Sequence, residues 1–552
     1  MFFSKDVLTG IVNSNPELNL PLGNLRGHIL KTYNGKEFFA FEGIPYAKPP
    51  IGDLRFEEPQ PIEPWNGTVL ADRTRTCIQY RHYRLPGEDP VKGDEDCLYL
   101  NVYTPKIDDG TSRNVIIYIH GGAFMFGSGG NFGPLLLLDQ NIVYVTLNYR
   151  LGPIGFLSTE DEVISGNYGL KDQSVALKWI KNNIKYFGGN SDSITLTGMS
   201  AGGASVHFHA MSSWSKGLFH RGVSQSGTAL NPWVIVEESR KKSQMLAAHL
   251  DCPTESLIDM KKCLKEKSAY DIVSAVNVFQ PFLYNPISPF GIVIDKWSSK
   301  PFLNEHPYAL LQKGKIMDIP WIFSNVESEG LYPGSEFISD TKYLAQINDQ
   351  WNQLVPFILD FNYTVALRHQ PEMLEKIRNF YFADKEVSEK TFSILIQMMS
   401  DRLFNNDISK AVKLHSPSVQ SPIYYYYFSY RGQHSKSETL SGTNKNFGAS
   451  HGDDTVYILS TTTNTRTSSS DKDMTQRLIN VWLSFASDSV PKIQNIEWLP
   501  VSKQKETKTV TTLHIESPYK QKMIEASFGN SEFWDSLPLK ENEKTISIKN
   551  EL

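Results

Sequence analysis

The sequence predicts an α/β fold: a central, mostly parallel sheet flanked by helices on both faces. Three observations carry this expectation. Over 172–202 a helical pattern, a short β-prone run and a glycine-flanked turn follow one another. Further β-prone runs at 319–323 and 423–430 each precede a cluster of acidic or histidine residues. Hydrophobic residues make up 40% of the 552 and aromatics 12%, enough for a large buried core.

The helix comes first. Ala176, Ile180 and Ile184, with Val175 and Trp179 alongside, recur at helical spacing over 172–186. Gly188-Gly189 ends it, where a left-handed cap is easiest. Ile194-Thr195-Leu196-Thr197 is a short strand. It leads into Gly198-Met199-Ser200-Ala201-Gly202, a G-x-S-x-G turn. In such an elbow the apex residue is pushed above the sheet, and the two glycines let strand and helix approach each other. Ser200 therefore stands where a nucleophile would.

The rest of the chain bounds the organisation. No internal repeat or Pro/Gly/Ser-rich linker divides it, so a single domain is expected over 15–540, followed by a polar tail at 541–552. The Ser/Thr-rich stretch 460–473 reads as a surface loop. A net charge of −5 offers no basic patch, so nucleic acid is not an expected partner. The apolar run 135–138 is cut by Asp139 and Gln140, and no segment reads as a membrane span.

Several motifs in order give a resemblance. Phe187-Gly188-Gly189 leading to the Ser200 elbow, Glu95-Asp96-Cys97-Leu98-Tyr99-Leu100-Asn101-Val102-Tyr103, and His120-Gly121-Gly122-Ala123-Phe124 resemble the signatures of the type-B carboxylesterase and cholinesterase-like family. Phe41-Glu42-Gly43-Ile44-Pro45-Tyr46-Ala47, Asn148-Tyr149-Arg150-Leu151-Gly152 and Gly169-Leu170-Lys171-Asp172-Gln173 extend the likeness, which is greatest to insect esterases. It implies an α/β-hydrolase fold and a serine carboxylesterase acting on a small-molecule ester, with no metal or cofactor.

The resemblance also assigns roles. Among thirteen histidines, His451 lies in a loop like the family's catalytic-histidine loop. Glu329, directly before Gly330, matches the position of the acid, with Glu327 as the rival. His207 and His209 follow the elbow on its helix and read as structural. Backbone N–H groups of Gly122, Ala123 and Ala201 form the implied oxyanion hole, the methyl of Ala123 trimming the pocket. Trp233 matches a position lining the acyl pocket. Arg55 with Glu95 and Arg150 with Asp172 resemble ion pairs tying loops to the core. The four cysteines are compatible with buried thiols by position alone; the resemblance implies disulfides Cys77–Cys97 and Cys252–Cys263.

Substrate and compartment follow. Cholinesterases carry Glu before the serine and a tryptophan in the first disulfide loop; here stand Met199 and a 78–96 segment with tyrosines but no Trp. A neutral, hydrophobic ester is expected, with juvenile hormone or pheromone esters as specific candidates. The contrasting class is a non-catalytic adhesion protein such as the neuroligins, which lose triad members that this chain keeps. Asn66-Gly67-Thr68 and Asn362-Tyr363-Thr364 are glycosylation triplets. Met1-Phe2-Phe3-Ser4-Lys5-Asp6 does not read as a signal peptide, and the expectation is a chain given without its leader. The ending Lys549-Asn550-Glu551-Leu552 is close to the K-D-E-L retrieval signal, placing the protein in the endoplasmic reticulum lumen or outside the cell.

Overall fold

In the computed structural model, residues 15–83, 87–504 and 507–542 are described. One eleven-stranded sheet organises them. Its strands in chain order are β1 (His28–Lys31), β2 (Glu37–Pro45), β3 (Tyr99–Thr104), β4 (Arg113–Ile119), β5 (Val143–Leu147) and β6 (Gly189–Met199). They continue with β7 (Arg221–Gln225), β8 (Trp321–Val326), β9 (Ile423–Phe428), β10 (Val510–Ser517) and β11 (Lys520–Ala526). The spatial order is β11-β10-β9-β8-β7-β6-β4-β5-β3-β2-β1. From β5 across to β10 every neighbouring pair is parallel. The flanks at both edges are antiparallel. This is an α/β-hydrolase arrangement, as expected.

Strand composition explains why both faces are covered. In β4, Val115, Ile117 and Ile119 enter one apolar cluster while Ile116 and Tyr118 enter another, and all are fully buried. Side chains alternate along a strand, so an apolar run without polar alternation must bury both faces. One face receives helices α1 (Tyr168–Asn183) and α2 (Ala201–Met211), through Leu177, Ile180, Val206 and Phe208. The opposite face receives α5 (Ser469–Asp488), through Leu478, Val481, Trp482 and Phe485. Between them in sequence lie α3 (Phe392–Ser400) and α4 (Asn406–His415), joined by the π-helical turn Asp401–Asn405.

Two local expectations change. Helix α1 begins at Tyr168, before the predicted 172, and a short 3-10 turn Ile184–Phe187 completes it. Gly188 is left-handed (φ +75°) as the cap requires, but Gly189 already opens β6. The loop expected over 460–473 stops at Ser468. The Ser468 hydroxyl accepts from the Asp471 N–H at 3.0 Å and caps α5.

Both disulfides are formed, Cys77–Cys97 and Cys252–Cys263. Each closes a loop whose restraint is worth about 3 kcal/mol. Arg55 links the two regions: it grips Glu95 at 2.6 and 2.7 Å and donates to the carbonyls of Leu264 and Lys267. Arg150 grips Asp172 at 2.7 and 2.8 Å, both side chains buried. At the C-terminal end, Glu541 pairs with Arg402 at 2.6 Å and Asn542 donates to the carbonyls of Trp534 and Leu537. The last four residues lie outside the described residues. Of the two glycosylation triplets, Asn66 is exposed and Asn362 half-buried. No helix among the described residues is long and apolar enough to cross a membrane.

Candidate active site

Ser200 stands at the apex between β6 and α2, with φ +61° and ψ −126°. That conformation costs an L-residue on the order of 1–3 kcal/mol and persists because its surroundings over-determine it. The glycines explain how. A Cβ on Gly198 would sit 2.4 Å from the Gly202 carbonyl carbon, and one on Gly202 would sit 2.0 Å from the Ile119 oxygen. Glycine at 198 lets the end of β6 and the start of α2 come this close, and glycine at 202 lets α2 start against the end of β4. The Ser200 N–H donates to the Gln225 carbonyl at 2.8 Å, fixing the apex to β7.

Glu329 and His451 arrive on two loops that are themselves paired. A β-bridge between Ser328 and Ser450 continues the sheet past the ends of β8 and β9. Its neighbours are Glu329 and His451. His451 Nδ1 and Glu329 Oε2 are 2.5 Å apart, and both side chains are buried. The other Glu329 oxygen accepts from the Val326 N–H at 2.9 Å, which fixes the carboxylate plane. Glu327, two residues earlier, is exposed and lines a separate, polar cavity. The imidazole is held between Phe404 (ring centroids 4.6 Å) and Tyr332 (5.4 Å). Its Nε2 is buried without a hydrogen-bond partner.

Two aspartates just after His451 anchor this loop. Asp453 accepts from the Ser450 and Lys436 N–H groups and the Ser435 hydroxyl, at 2.7–2.8 Å. Burial still pushes its pKa up to about 7. Asp454 Oδ2 accepts from Tyr426, Gln225 and Ser324, three consecutive parallel strands, at 2.7–3.1 Å. The His451 loop is thereby tied to β7, β8 and β9 at once.

His207 and His209 lie on α2 behind the elbow. His209 is bonded to Ser215 and Gln173, and His207 accepts from the Ala229 N–H. Burial lowers both to a pKa of about 3, so each is neutral. Neither lines the cavity.

The loop after β4 presents backbone donors. The Gly122 carbonyl accepts from both Met125 and Phe126 N–H groups, at 2.8 and 3.0 Å. Across the trans peptide the Ala123 N–H therefore points the other way, out of that turn. Ala123 has φ +53°, and Ser288 donates to its carbonyl at 2.9 Å. Ala123 is buried and belongs to the apolar cluster. Ala201 begins α2, where the first N–H groups have no helical acceptor. Trp233 is set behind the cavity. Its indole donates at 2.8 Å to the Leu403 carbonyl in the π-helical turn, and that turn places Phe404 on His451.

Ser200, His451 and Gly122 face one cavity of about 380 Å³. The first disulfide loop supplies His82 and Tyr83 to its wall. His82 stacks on Tyr284 at 4.1 Å and is within 3.2 Å of Glu336. Among the described residues, no group of His, Cys, Asp and Glu is arranged to hold a metal ion.

The sequence model of the carboxylesterase family matches residues 14–531. The chain belongs to the carboxylesterase family. It is similar to venom carboxylesterase-6 of Apis mellifera, 42% identical over 96% of this chain and 95% of that protein. The juvenile hormone esterase of Tribolium castaneum is 34% identical over 88% and 86%. The crystal structure of juvenile hormone esterase from Manduca sexta, with OTFP covalently attached, superposes with a TM-score of 0.81 at 25% identity, covering 97% of this chain and all of that one. As a carboxylesterase, the chain adds cavity residues that its sequence did not announce: His82, Tyr332, Lys436, Thr439 and Thr461–Thr463. The Ser468 to Asp471 spacing is a helix-capping signal that the sequence did carry, and it ends the 460s loop early.

Proposed function

We propose that this carboxylesterase hydrolyses uncharged carboxylic esters through an acyl-enzyme, with Ser200 as nucleophile, His451 as base and acid, and Glu329 as the orienting acid. The observation that carries the reading is the His451–Glu329 bond of 2.5 Å, with Nε2 unpartnered in the cavity that holds Ser200. Glu329 at Nδ1 sets the tautomer that leaves Nε2 basic and stabilises the imidazolium that forms. Nε2 takes the Ser200 proton as Oγ attacks the ester carbonyl, then delivers it to the departing alcohol. Water enters by the reverse route and frees the acid. Gly122, Ala123 and Ala201 N–H groups receive the oxyanion, each worth ~10²–10³ in rate. A fluorophosphonate should label Ser200 in stoichiometric amount, read by mass spectrometry; an unlabelled, folded protein would return the chain to the adhesion-protein reading.

Choline esters are disfavoured on two grounds. Met199 stands before the nucleophile, and His82, bonded toward Glu336, takes the loop where a tryptophan would hold a quaternary ammonium. Among the described residues, no aspartate or glutamate lines the cavity. Acetylthiocholine should therefore be turned over with kcat/KM at least about tenfold below its neutral isostere S-(3,3-dimethylbutyl) thioacetate, ~1.4 kcal/mol of discrimination. Equal values for the two thioesters would remove the argument. Juvenile hormone, a neutral ester named with two of the relatives, belongs in the substrate panel.

The compartment we propose is the secretory pathway, with retrieval to the endoplasmic reticulum through Lys549-Asn550-Glu551-Leu552. Two disulfides and the name of the venom relative support an oxidising route. Expressed behind a secretory leader in insect cells, the chain lacking its last four residues should accumulate in the medium severalfold more than the intact chain. Equal amounts would mean that the ending is not read.

A further inference from the structure

The cavity has two unlike walls. Tyr83 packs with Phe126 and Tyr332 in one group of rings; elsewhere on the lining Lys436 lies over Phe132, with Thr439 and Thr461–Thr463 on the same cavity. The lysine stem crosses Gly452, the residue after His451. Its Cδ and Cε lie 3.3 Å from where a Gly452 Cβ would be, and Met199 Cε lies 2.9 Å from the same point. The ammonium is thus brought beside the base and beside the residue preceding the nucleophile.

That ammonium is unanswered. Lys436 is half-buried, yet no carboxylate or other acceptor among the described residues lies within hydrogen-bonding distance of Nζ. Its partner is the Phe132 ring, centroid 5.9 Å away. The nearby carboxylates are engaged elsewhere: Asp453 with the Lys436 backbone N–H and the Ser435 hydroxyl, Asp454 with three strands. Arg81, another cation on the cavity, differs in being paired with Glu88 at 3.1 Å and with the Asp89 carbonyl. Nζ is not sealed from the cavity, but burial of the side chain disfavours its charged form and holds the lysine below its ordinary pKa. A bound molecule that supplies an acceptor oxygen relieves that cost, and the neighbouring threonine hydroxyls can share it.

We propose that Lys436 is a specificity-determining residue, selecting esters that carry a second acceptor oxygen a few bonds from the scissile group. The apolar arm of such an ester lies against the aromatic wall, and its oxygen-bearing arm against Lys436 and the threonines. The proposal rests on the reading of this cavity as the esterase site and narrows it: the substrate is amphiphilic, not a plain hydrocarbon ester.

Two matched pairs test it, each followed by proton release in a pH-stat and corrected for hydroxide-catalysed rates. They are ethyl 4-oxopentanoate against ethyl pentanoate for the acyl side, and 4-oxopentyl acetate against pentyl acetate for the alcohol side. For at least one pair the wild-type enzyme should prefer the keto ester by about tenfold or more in kcat/KM, the range of a hydrogen bond to a charged group. Lys436→Met should bring that ratio close to one, and Lys436→Arg should retain most of it. Wild-type ratios near or below one for both pairs overturn the proposal with no variant needed. So does a preference that survives in Lys436→Met, or in Lys436→Ala where the methionine variant does not fold. Fluorophosphonate labelling of Ser200 separates the two levels. A labelled enzyme without the preference defeats only the role of Lys436, whereas an unlabelled one that hydrolyses neither pair defeats the esterase reading.

Discussion

Ser200→Ala is expected to lower kcat/KM for 4-nitrophenyl esters by about 10⁴-fold or more, while Tm stays within about 2 °C of the parent. The size follows from covalent catalysis: without Oγ no acyl-enzyme forms, and what survives is the contribution of the oxyanion donors and of binding. The unchanged stability follows from the geometry. The Ser200 N–H bond to Gln225 and the glycines at 198 and 202 hold the apex, and an alanine keeps the backbone and Cβ that fit there. Among the described residues, nothing hydrogen-bonds the side-chain oxygen, so its loss should not destabilise the fold. His451→Ala should cost activity to nearly the same degree, since nucleophile and base act as a unit and their losses do not add. Rates are read spectrophotometrically and Tm by circular dichroism; an active Ser200→Ala enzyme would displace the nucleophile.

What the sequence carried about this fold follows from range. The elbow is local: helix α1, β6, the glycines and Ser200 occupy one continuous stretch, so period and turn chemistry suffice to place it. The helix start at Tyr168 escaped because Asn167, a left-handed residue, turns its side chain to the backbone of Val293 instead of capping the helix. The cavity is not local. Its walls come from the first disulfide loop, the turn after β4, the Tyr332 segment and the loops around Lys436 and Thr461, brought together only by the sheet. Nothing periodic marks a lysine whose stem must cross a glycine, or three threonines that leave a polar run to face inward. The two anchoring aspartates were visible as letters after His451, but the Asp454 partners Tyr426, Gln225 and Ser324 sit on three separate strands. Local sequence alone left Glu327 and Glu329 equivalent for the same reason. Which of them faces His451 depends on a bridge between residues 328 and 450.

That pair yields the second large effect. Glu329→Gln is expected to reduce kcat for 4-nitrophenyl esters by about 10²–10⁴-fold with little change in KM, and Glu327→Gln by less than about twofold. The glutamine amide is nearly isosteric, so the Val326 N–H can still be accepted and the loop keeps its place. What changes is the charge and the direction of the proton at Nδ1. A neutral amide cannot stabilise the imidazolium that forms as Ser200 attacks, and if its NH₂ faces the ring it favours the tautomer with Nε2 protonated, which cannot act as base. Glu327 makes one long contact, 3.4 Å from the Ala449 N–H, and its carboxylate is otherwise exposed. Neutralising it leaves the base, the nucleophile and the donors where they are. The comparison is self-controlled, because the two substitutions are chemically identical and two residues apart. Steady-state kinetics on both variants at one pH decides it: a Glu327→Gln enzyme more damaged than Glu329→Gln would transfer the role of the acid to Glu327 and require the two loops to pair in a register other than Ser328 against Ser450.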